Sequence, residues 1–444
     1  MFHLRKKTAQ LLSALLVGSL LLVPARPAQA YSVLTHEQII DFLWDRDIKR
    51  ILVAHFPNAT DDDLRVAHAF AYGGSLIQDM GYYPSENKFF SDLVHYLRSG
   101  DFVEEMIRDA QDLNELAFAL GALAHYVSDN TGHPFVNQAV ALSFPKLGKK
   151  YGKEVTYAKD PKAHIRTEFG FDVLQVAQQH YASQSFHDFI GFAVAKPLLE
   201  RAFLRVYGIE LRTLLPDEDR AIGNYRHALS VWIPRFTEVA LITKKKELES
   251  TPNFNPRKFR YIVRRSEYEK EWGKNYNRPG FFSRFMAVLI RILPKIGPLK
   301  TLDVKIPNQR TEKIFVRSVE DTVDAYHVLL VRISSPALPQ AGDQGDPKLA
   351  NFDLDTGEPT EPSEYSLADK TYAHLVNMLA QGNYGTATPE LRANVLNFYR
   401  DLGRPLETKR HKDEWRELQR QLDELRKQST PAVQGNLQAI HAQE

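Results

Sequence analysis

The sequence predicts an all-α fold, with a multi-helix domain followed by a mostly helical C-terminal extension. Between residues 35 and 247, apolar residues recur at steps of three and four, which is the period of an α-helix. No stretch of this region alternates between apolar and polar residues as a half-buried strand does. The helical pattern returns over residues 366–402. The clearest helical segments are residues 39–54, 113–127, 169–181 and 221–242.

Residues 1–30 have the pattern of a signal peptide. Basic residues from Arg5 to Lys7 precede an apolar run over residues 11–23, and Ala28 and Ala30 are small residues spaced as signal peptidase requires. An uncleaved membrane anchor is the alternative, but the apolar run is shorter than the roughly 20 residues of a membrane span. We therefore expect cleavage before Tyr31 and a secreted or periplasmic protein.

The charge balance argues against a nucleic-acid partner. The chain has 57 basic and 55 acidic residues, and removal of residues 1–30 takes away four basic residues and no acidic ones. Proteins that bind nucleic acid through its phosphates usually carry a basic surplus, which is missing here. The chain also contains no cysteine, so any zinc must be bound by nitrogen and oxygen atoms.

The strongest local signal is the segment around His125 and Asp129. Residues four apart lie on one face of a helix, so these two side chains can reach one metal ion or bridge two. We expect Gly132 and Pro134 to end or kink this helix, which would turn His133 toward a neighbouring site.

A second pair with the same spacing, His164 and Glu168, follows along the chain. Either pair alone is more often a solvent-exposed helical face than a metal site. Two pairs with further histidines and carboxylates nearby are typical of a metal cluster, because imidazole nitrogen and carboxylate oxygen are zinc ligands. The candidate ligands from this pattern are His36, Asp79, His95, His125, Asp129, His133, His164 and Glu168.

These residues resemble the metal cluster of the zinc-dependent phospholipase C family, which is shared with the fungal single-strand nucleases. The segment from Gly74 to Asp79, and above all the one from His125 to Asp129, are similar to the family's motifs. The resemblance covers residues 31–247 and implies an all-helical fold with up to three zinc ions. It also implies that Tyr31, as the mature N-terminal residue, is a further ligand through its amine and carbonyl groups.

The resemblance further implies how the ligands divide among the ions. Asp129 would bridge the first two ions, and the third ion would be separate. The first zinc would be held by Asp79, His95, His125 and Asp129, the second by Tyr31, His36 and Asp129, and the third by His133, His164 and Glu168.

Two positions depart from the family pattern. Tyr31 stands where Trp is usual, although its ligating atoms would be backbone atoms. The family's next histidine comes ten residues after the helix histidine, whereas His133 comes eight after His125 and precedes Pro134. Phe135 occupies the expected place and cannot bind metal. A structural role beside the proline therefore competes with metal binding at His133.

A cluster of this kind points to phosphoester hydrolysis. Water between two zinc ions loses a proton near neutral pH, in a site that also binds phosphoryl oxygens. Asp79 is the candidate catalytic residue, because one carboxylate oxygen can bind metal while the other orients water or accepts its proton. We therefore predict an exported phospholipase C that releases a phosphorylated headgroup through a zinc-activated hydroxide.

Two other functions remain open. A single-strand nuclease or 3′-nucleotidase of the fungal type would need aromatic faces for base stacking, for which Tyr82, Tyr83, Phe89 and Phe90 are candidates unless they pack inside the protein. A non-catalytic binding module would use zinc only to stabilise its helices. A phospholipid or membrane surface is the predicted partner in preference to nucleic acid, and the sequence identifies no protein partner.

The region after the predicted catalytic domain has no family motif. Within it, residues 281–302 are apolar and basic and could form a buried helix or a membrane contact. Residues 304–333 suit either short strands or another helix. The expected organisation is a signal peptide at 1–30, a catalytic domain at 31–250, an extension at 251–333, a linker or long loop at 334–365, and a helical region with a disordered tail at 366–444.

Overall fold

The computed structural model describes residues 33–83, 87–178, 192–229, 244–248, 304–334 and 348–428. Over these residues the all-α prediction is confirmed, since helices dominate and a single short hairpin supplies the β-structure. None of the helices in this part of the chain is both long and apolar enough to span a membrane. The predicted signal peptide, Tyr31 and the apolar segment at 281–302 lie outside the described residues.

From Lys88 to Tyr151 the helices follow one another with short connections. A single π-helical turn, Trp44–Ile48, joins the first two described helices. The helices are α1 (Val33–Leu43), α2 (Lys49–His55), α3 (Asp61–Ile77), α4 (Lys88–Tyr96), α5 (Ser99–Asp109), α6 (Leu113–Ser143), α7 (Pro145–Tyr151), α8 (Pro161–Gln178), α9 (Lys196–Tyr207), α10 (Leu211–Leu214), α11 (Glu218–His227), α12 (Lys245–Leu248), α13 (Gln309–Ile333), α14 (Ser366–Gln381), α15 (Pro389–Phe398) and α16 (Lys412–Lys427).

Helices α3 and α6 begin at clear capping residues. Thr60 accepts a hydrogen bond from the backbone N–H of Asp63, whose carboxylate accepts one from the N–H of Thr60 in return. Asp112 accepts hydrogen bonds from two backbone N–H groups of the first turn of α6. These caps define where α3 and α6 start.

Helices α3 and α6 pack at unusually close range because glycine lies at their contact. A Cβ atom on Gly74 would stand 1.9 Å from the carbonyl oxygen of Phe118, and one on Gly121 would stand 2.0 Å from that of Ala71. Only a residue without a side chain allows the two backbones to approach this closely. The contact sets the position of the turn after α3 relative to α6.

Helix α6 continues through Pro134, so of the two expected outcomes, an end or a kink, the end is wrong. Pro134 has no N–H to donate to the carbonyl of Asn130, but the helix remains unbroken to Ser143. A kink is not needed to turn His133, because eight helical residues rotate a side chain by about 80° and advance it by about 12 Å. Helical geometry alone therefore carries His133 from the site of His125 to a neighbouring one.

Residues 304–333 form a helix rather than strands over most of their length. Helix α13 starts with a capping box in which Asn308 accepts from the backbone of Thr311, and the side chain of Thr311 accepts from the N–H of Asn308. Its buried face includes Phe315 and Tyr326, and the hydroxyl of Tyr326 donates to the carbonyl of Leu120 at 2.8 Å. Helix α13 therefore packs along the central helix α6.

The C-terminal helices share a hydrophobic core with the metal-bearing helices. The ring of His374 on α14 stacks on Phe89 of α4 at a centroid distance of 3.8 Å. Further along, Tyr372 stacks on Phe398 at 3.7 Å, which joins α14 to α15. The predicted helical region after residue 366 is thus packed against α4 rather than extending away from it.

A β-hairpin, Phe352–Pro359, lies within the segment expected to be a linker or loop. Its two short strands, β1 (Phe352–Asp353) and β2 (Glu358–Pro359), pair antiparallel. The turn contains Gly357 with φ of +73°, where a Cβ atom would stand 2.4 Å from the carbonyl oxygen of Asn130. The hairpin therefore packs closely against helix α6 at the carbonyl of Asn130. This carbonyl has no N–H donor within the helix, because residue 134 is a proline.

Candidate metal centre

The candidate ligands converge from four helices and one turn. Within the described residues, every predicted ligand side chain is at most 2 % exposed. Helix α1 carries His36, the turn after α3 carries Asp79, α4 carries His95, α6 carries His125, Asp129 and His133, and α8 carries His164 and Glu168. The ninth candidate, Tyr31, lies outside the described residues.

The first cluster, called the central group, consists of Asp79, His95, His125 and Asp129. The Nε2 atoms of His95 and His125 lie 3.2 Å apart. From Asp129 Oδ2, His95 Nε2 is 3.3 Å and His125 Nε2 is 3.2 Å away, and Asp79 Oδ1 is 3.4 Å from His95 Nε2. Ligands on one tetrahedral zinc with bonds of 2.0 to 2.1 Å are about 3.3 Å apart, so these spacings fit a shared ion.

His36 lies on the other side of Asp129. Its Nε2 atom is 3.5 Å from Asp129 Oδ1, while Oδ2 faces the central group. The ring of His36 also stacks on that of His125 with centroids 4.5 Å apart. A second ion could therefore be bridged to the first through the two oxygens of Asp129, as the family resemblance implies.

The second cluster, called the distal group, consists of His133, His164 and Glu168. His164 Nδ1 lies 2.6 Å from Glu168 Oε1, and His133 Nε2 lies 4.0 Å from the same oxygen. The structure thus brings His133 to these two residues even though its spacing along the chain differs from the family pattern.

Each of the four histidines in the central and distal groups has its second ring nitrogen bonded to an oxygen atom of the protein. His95 Nδ1 bonds the carbonyl of Ser91 at 2.8 Å, and His125 Nδ1 bonds that of Ser75 at 2.8 Å. In the distal group, His133 Nδ1 bonds the carbonyl of Leu354, and His164 Nε2 bonds Asn137 Oδ1 at 2.9 Å. Such bonds fix the ring orientation and leave the other nitrogen free to bind metal.

Several buried polar atoms of the two groups receive no hydrogen bond. They include both carboxylate oxygens of Asp79 and Asp129, Glu168 Oε1 and His133 Nε2. Buried carboxylates without donors are costly unless a cation compensates them. A set of imidazole nitrogens and carboxylate oxygens at these spacings suits zinc.

The pKa values of the buried carboxyl groups are shifted in different directions. Desolvation raises the pKa of Asp79 and, more strongly, that of Glu168. Desolvation raises the pKa of Asp129 too, but the surrounding histidines, led by His125, outweigh it and hold this pKa well below its usual value. Asp129 therefore provides a permanent negative charge at the point where the two proposed ions would meet.

The pKa values of His95 in the central group and His164 in the distal group are also shifted in opposite directions. Burial lowers the pKa of His95, but the nearby carboxylates of Asp129 and Asp79 outweigh this effect and raise the pKa to about 10. Burial lowers the pKa of His164 to about 4. In the metal-free protein at neutral pH, His95 is therefore protonated and His164 is neutral.

A comparison with known families identifies this region. The model of the family described as zinc dependent phospholipase C matches residues 35–215. Over these residues the chain is similar to the zinc-dependent phospholipase C family. The match implies a phospholipase C-like, zinc-dependent hydrolase. Neither the curated proteins nor the solved structures contain a match to the chain.

Residues that support the ligands in the phospholipase C domain were missed by the sequence analysis. Asp172, four residues after Glu168 on α8, accepts hydrogen bonds from the N–H of Leu34 at 3.2 Å and from the hydroxyl of Thr35 at 2.7 Å. It thereby fixes the start of α1, which carries His36. Its four-residue spacing from Glu168 was a signal that could have found it.

The aromatic residues considered for base stacking are mostly inside the protein. Tyr82 and Phe90 are buried at 2 % and 0 % exposure, and Phe89 is covered by His374. Tyr83 packs at an angle on Tyr225 with centroids 4.5 Å apart. These rings therefore contribute to the core of the phospholipase C domain and do not offer a stacking platform for bases.

Proposed function

We propose that the protein is an exported phospholipase C that hydrolyses phospholipids and releases a phosphorylated headgroup. The observation that carries this proposal is the convergence of the buried central and distal groups within a domain of the zinc-dependent phospholipase C family. Phospholipid is preferred to nucleic acid because the chain without residues 1–30 lacks a basic surplus and because Tyr82 and Phe90 are buried.

Zinc would be held by the nitrogen and oxygen atoms of the central and distal groups, with His36 as a further ligand. When bound, it supplies a hydroxide from water near neutral pH and stabilises charge on phosphoryl oxygens. The protein's own part is to fix the ligand positions through the carbonyls of Ser75 and Ser91 and to exclude bulk water from the buried ligands.

Asp79 is suited to assist proton transfer. Its carboxylate is buried, and neither of its oxygens receives a hydrogen bond, so one oxygen can bind metal while the other faces water. Burial raises the pKa of Asp79, which makes its carboxylate a better proton acceptor than an exposed aspartate. We assign it as a ligand and as an assisting base rather than as the sole base.

Processing before Tyr31 would add a ligand. Helix α1 begins at Val33 and carries His36 toward Asp129, and an amine on Tyr31 would lie within about 7 Å of Val33 along the chain. In an uncleaved precursor this nitrogen is an amide and does not bind zinc. Equal activity of the precursor and of the processed protein would exclude this role of Tyr31.

The test combines zinc counting with two substrates. Purified mature protein is assayed by metal mass spectrometry, by headgroup release from mixed phospholipid vesicles, and by cleavage of single-stranded DNA. We expect about three zinc ions and headgroup release. DNA cleavage without headgroup release would favour the nuclease, and bound zinc without either activity would favour the binding module.

A matched pair of variants ties the activity to the metal centre. Asp79→Asn removes a ligand charge, whereas Asp92→Asn alters a carboxylate that pairs with Lys88 outside the two groups. Headgroup release should fall by roughly a thousandfold in the first variant and stay near the parent rate in the second. Similar losses in both would mean that the activity does not depend on the proposed ligands.

A further inference from the structure

The hairpin Phe352–Pro359 brings a carboxylate from outside the family-matched region to the distal group. Asp355 Oδ1 lies 3.7 Å from His133 Nε2, which is closer than Glu168 Oε1 at 4.0 Å. Asp355 is 2 % exposed, and His133 Nε2 has no hydrogen-bond partner. By distance to His133, Asp355 is thus as well placed as a predicted ligand.

The two oxygens of Asp355 have different surroundings. Oδ2 accepts hydrogen bonds from the hydroxyl of Tyr96 at 2.9 Å and from that of Tyr365. Oδ1 is the oxygen nearest to His133. Metal-binding carboxylates commonly have one oxygen held by hydrogen bonds while the other binds the ion. The tyrosines therefore aim Oδ1 toward the distal group.

The backbone of the same turn orients two ligands of the distal group. The carbonyl of Leu354 accepts from His133 Nδ1. The side-chain amide of Asn137 donates to the carbonyl of Asp355 at 2.9 Å, while its oxygen lies 2.9 Å from His164 Nε2. The hairpin therefore orients both histidines of the distal group, His133 directly and His164 through Asn137.

Charge also favours a cation between these residues. The carboxylates of Glu168 and Asp355 are both buried beside His133. A divalent cation bound by two carboxylates forms an electrically neutral group. Such neutrality lowers the cost of burying the site.

We propose that Asp355 is a fourth protein ligand of the ion held by His133, His164 and Glu168, binding through Oδ1. This inference rests on the zinc binding in the proposed function and not on its substrate. Four protein ligands close the coordination of zinc, as in structural sites. The distal ion then exchanges more slowly than one that keeps an open position for water.

The decisive experiment uses cobalt and a single cysteine. The chain contains no cysteine, so Asp355→Cys introduces its only thiol. The purified variant is stripped of metal and reloaded with cobalt(II). A metal-bound thiolate gives an intense charge-transfer band in the near ultraviolet, and a thiol outside the coordination shell does not. Glu358→Cys, on the exposed part of the same hairpin, is the matched control.

We expect the band in Asp355→Cys at one equivalent per chain and no band in Glu358→Cys. A folded Asp355→Cys variant that binds cobalt without the band would overturn the assignment of Asp355 while leaving the proposed function intact. Parent protein that binds no zinc or cobalt would overturn both proposals.

A second measurement covers the case in which Asp355→Cys does not fold. Asp355→Asn keeps the size of the side chain and an oxygen that the tyrosines can donate to, but it loses the charge. Zinc release from the parent to a chromophoric chelator should show one slow equivalent, and this equivalent should leave at least about tenfold faster in Asp355→Asn. Release at the parent rate would overturn the proposal, and Glu358→Gln should match the parent.

Discussion

The central and distal groups are built in different ways. The central group takes its ligands from α4, α6 and the turn after α3, and its histidines are held by carbonyls of Ser75 and Ser91 in the same region. The distal group depends on Leu354 and Asp355, which lie more than 200 residues along the chain from His133. The ligands and ring partners of the central group thus lie within the family-matched residues, whereas the ring of His133 in the distal group is held by the C-terminal region.

The largest effect is expected from Asp129→Asn, because Asp129 contacts His36 as well as its neighbours in the central group. Loss of this charge should remove up to two zinc ions and lower headgroup release by roughly a thousandfold, about 4 kcal/mol in activation free energy. The distal ion should remain. Zinc content and the rate of headgroup release measure both effects, with the exposed Asp45→Asn as the control. Loss of the distal ion as well would show that the groups are not separable.

A smaller effect is expected from Gly121→Ala, which tests the helix contact under the central group. The new methyl group would meet the carbonyl of Ala71 at 2.0 Å, so α3 and α6 must move apart. We expect a loss of about 3 kcal/mol in the free energy of unfolding, measured with urea on the metal-free protein. Gly382→Ala, which has no atom within 3.5 Å of the new methyl group, should change it far less. Equal effects would mean that the close helix contact is not required.

Gly357→Ala tests whether the hairpin supports the distal group and not the central group. The substitution strains a residue at φ +73° and places a methyl group 2.4 Å from the carbonyl of Asn130, so the hairpin must shift away from α6. One zinc should be released about tenfold faster while the ions of the central group keep their release rates. Stopped-flow transfer of zinc to a chelator separates the two, and Gly385→Ala serves as the control. Faster release of every ion would contradict a local role of the hairpin.

The smallest effect concerns pH. In the metal-free protein the pKa of His95 is raised to about 10 by Asp129 and Asp79, so zinc must displace a proton from it at neutral pH. The apparent zinc affinity of the central group should therefore rise with pH, by about tenfold per unit for each proton displaced, until the pH approaches 10. His164, at about 4, contributes no such dependence above pH 6. Competition with a chelator at pH 6, 7 and 8 measures the slope, and a flat profile would contradict the protonated state of His95.

The helical parts of the centre could be predicted from local spacing. Pairs such as His125 with Asp129 and His164 with Glu168 lie one turn apart, and helical periodicity is visible without knowledge of the tertiary structure. Whether α6 ends at Pro134 or continues through it could not be decided from the sequence, because a proline inside a helix is tolerated only when tertiary packing holds the flanking turns. That packing cannot be predicted from the local sequence.

The role of the hairpin could not be predicted for a different reason. Asp355 lies in a segment rich in proline, glycine and aspartate, where the composition indicates a loop and one acidic residue does not stand out from another. Its importance comes from contacts with Tyr96 and His133, which are distant in sequence. Contacts of this kind appear only when the whole chain is folded.

The separation between His133 and Leu354, 221 residues, also has a consequence for synthesis. N-terminal segments of a growing chain emerge and fold first, and contacts between distant residues form late. A nascent chain that has reached α8 already carries the ligands of the central group, but its distal group lacks the carbonyl that orients His133. If the chain is exported, the distal group can be completed only after the hairpin has also crossed the membrane.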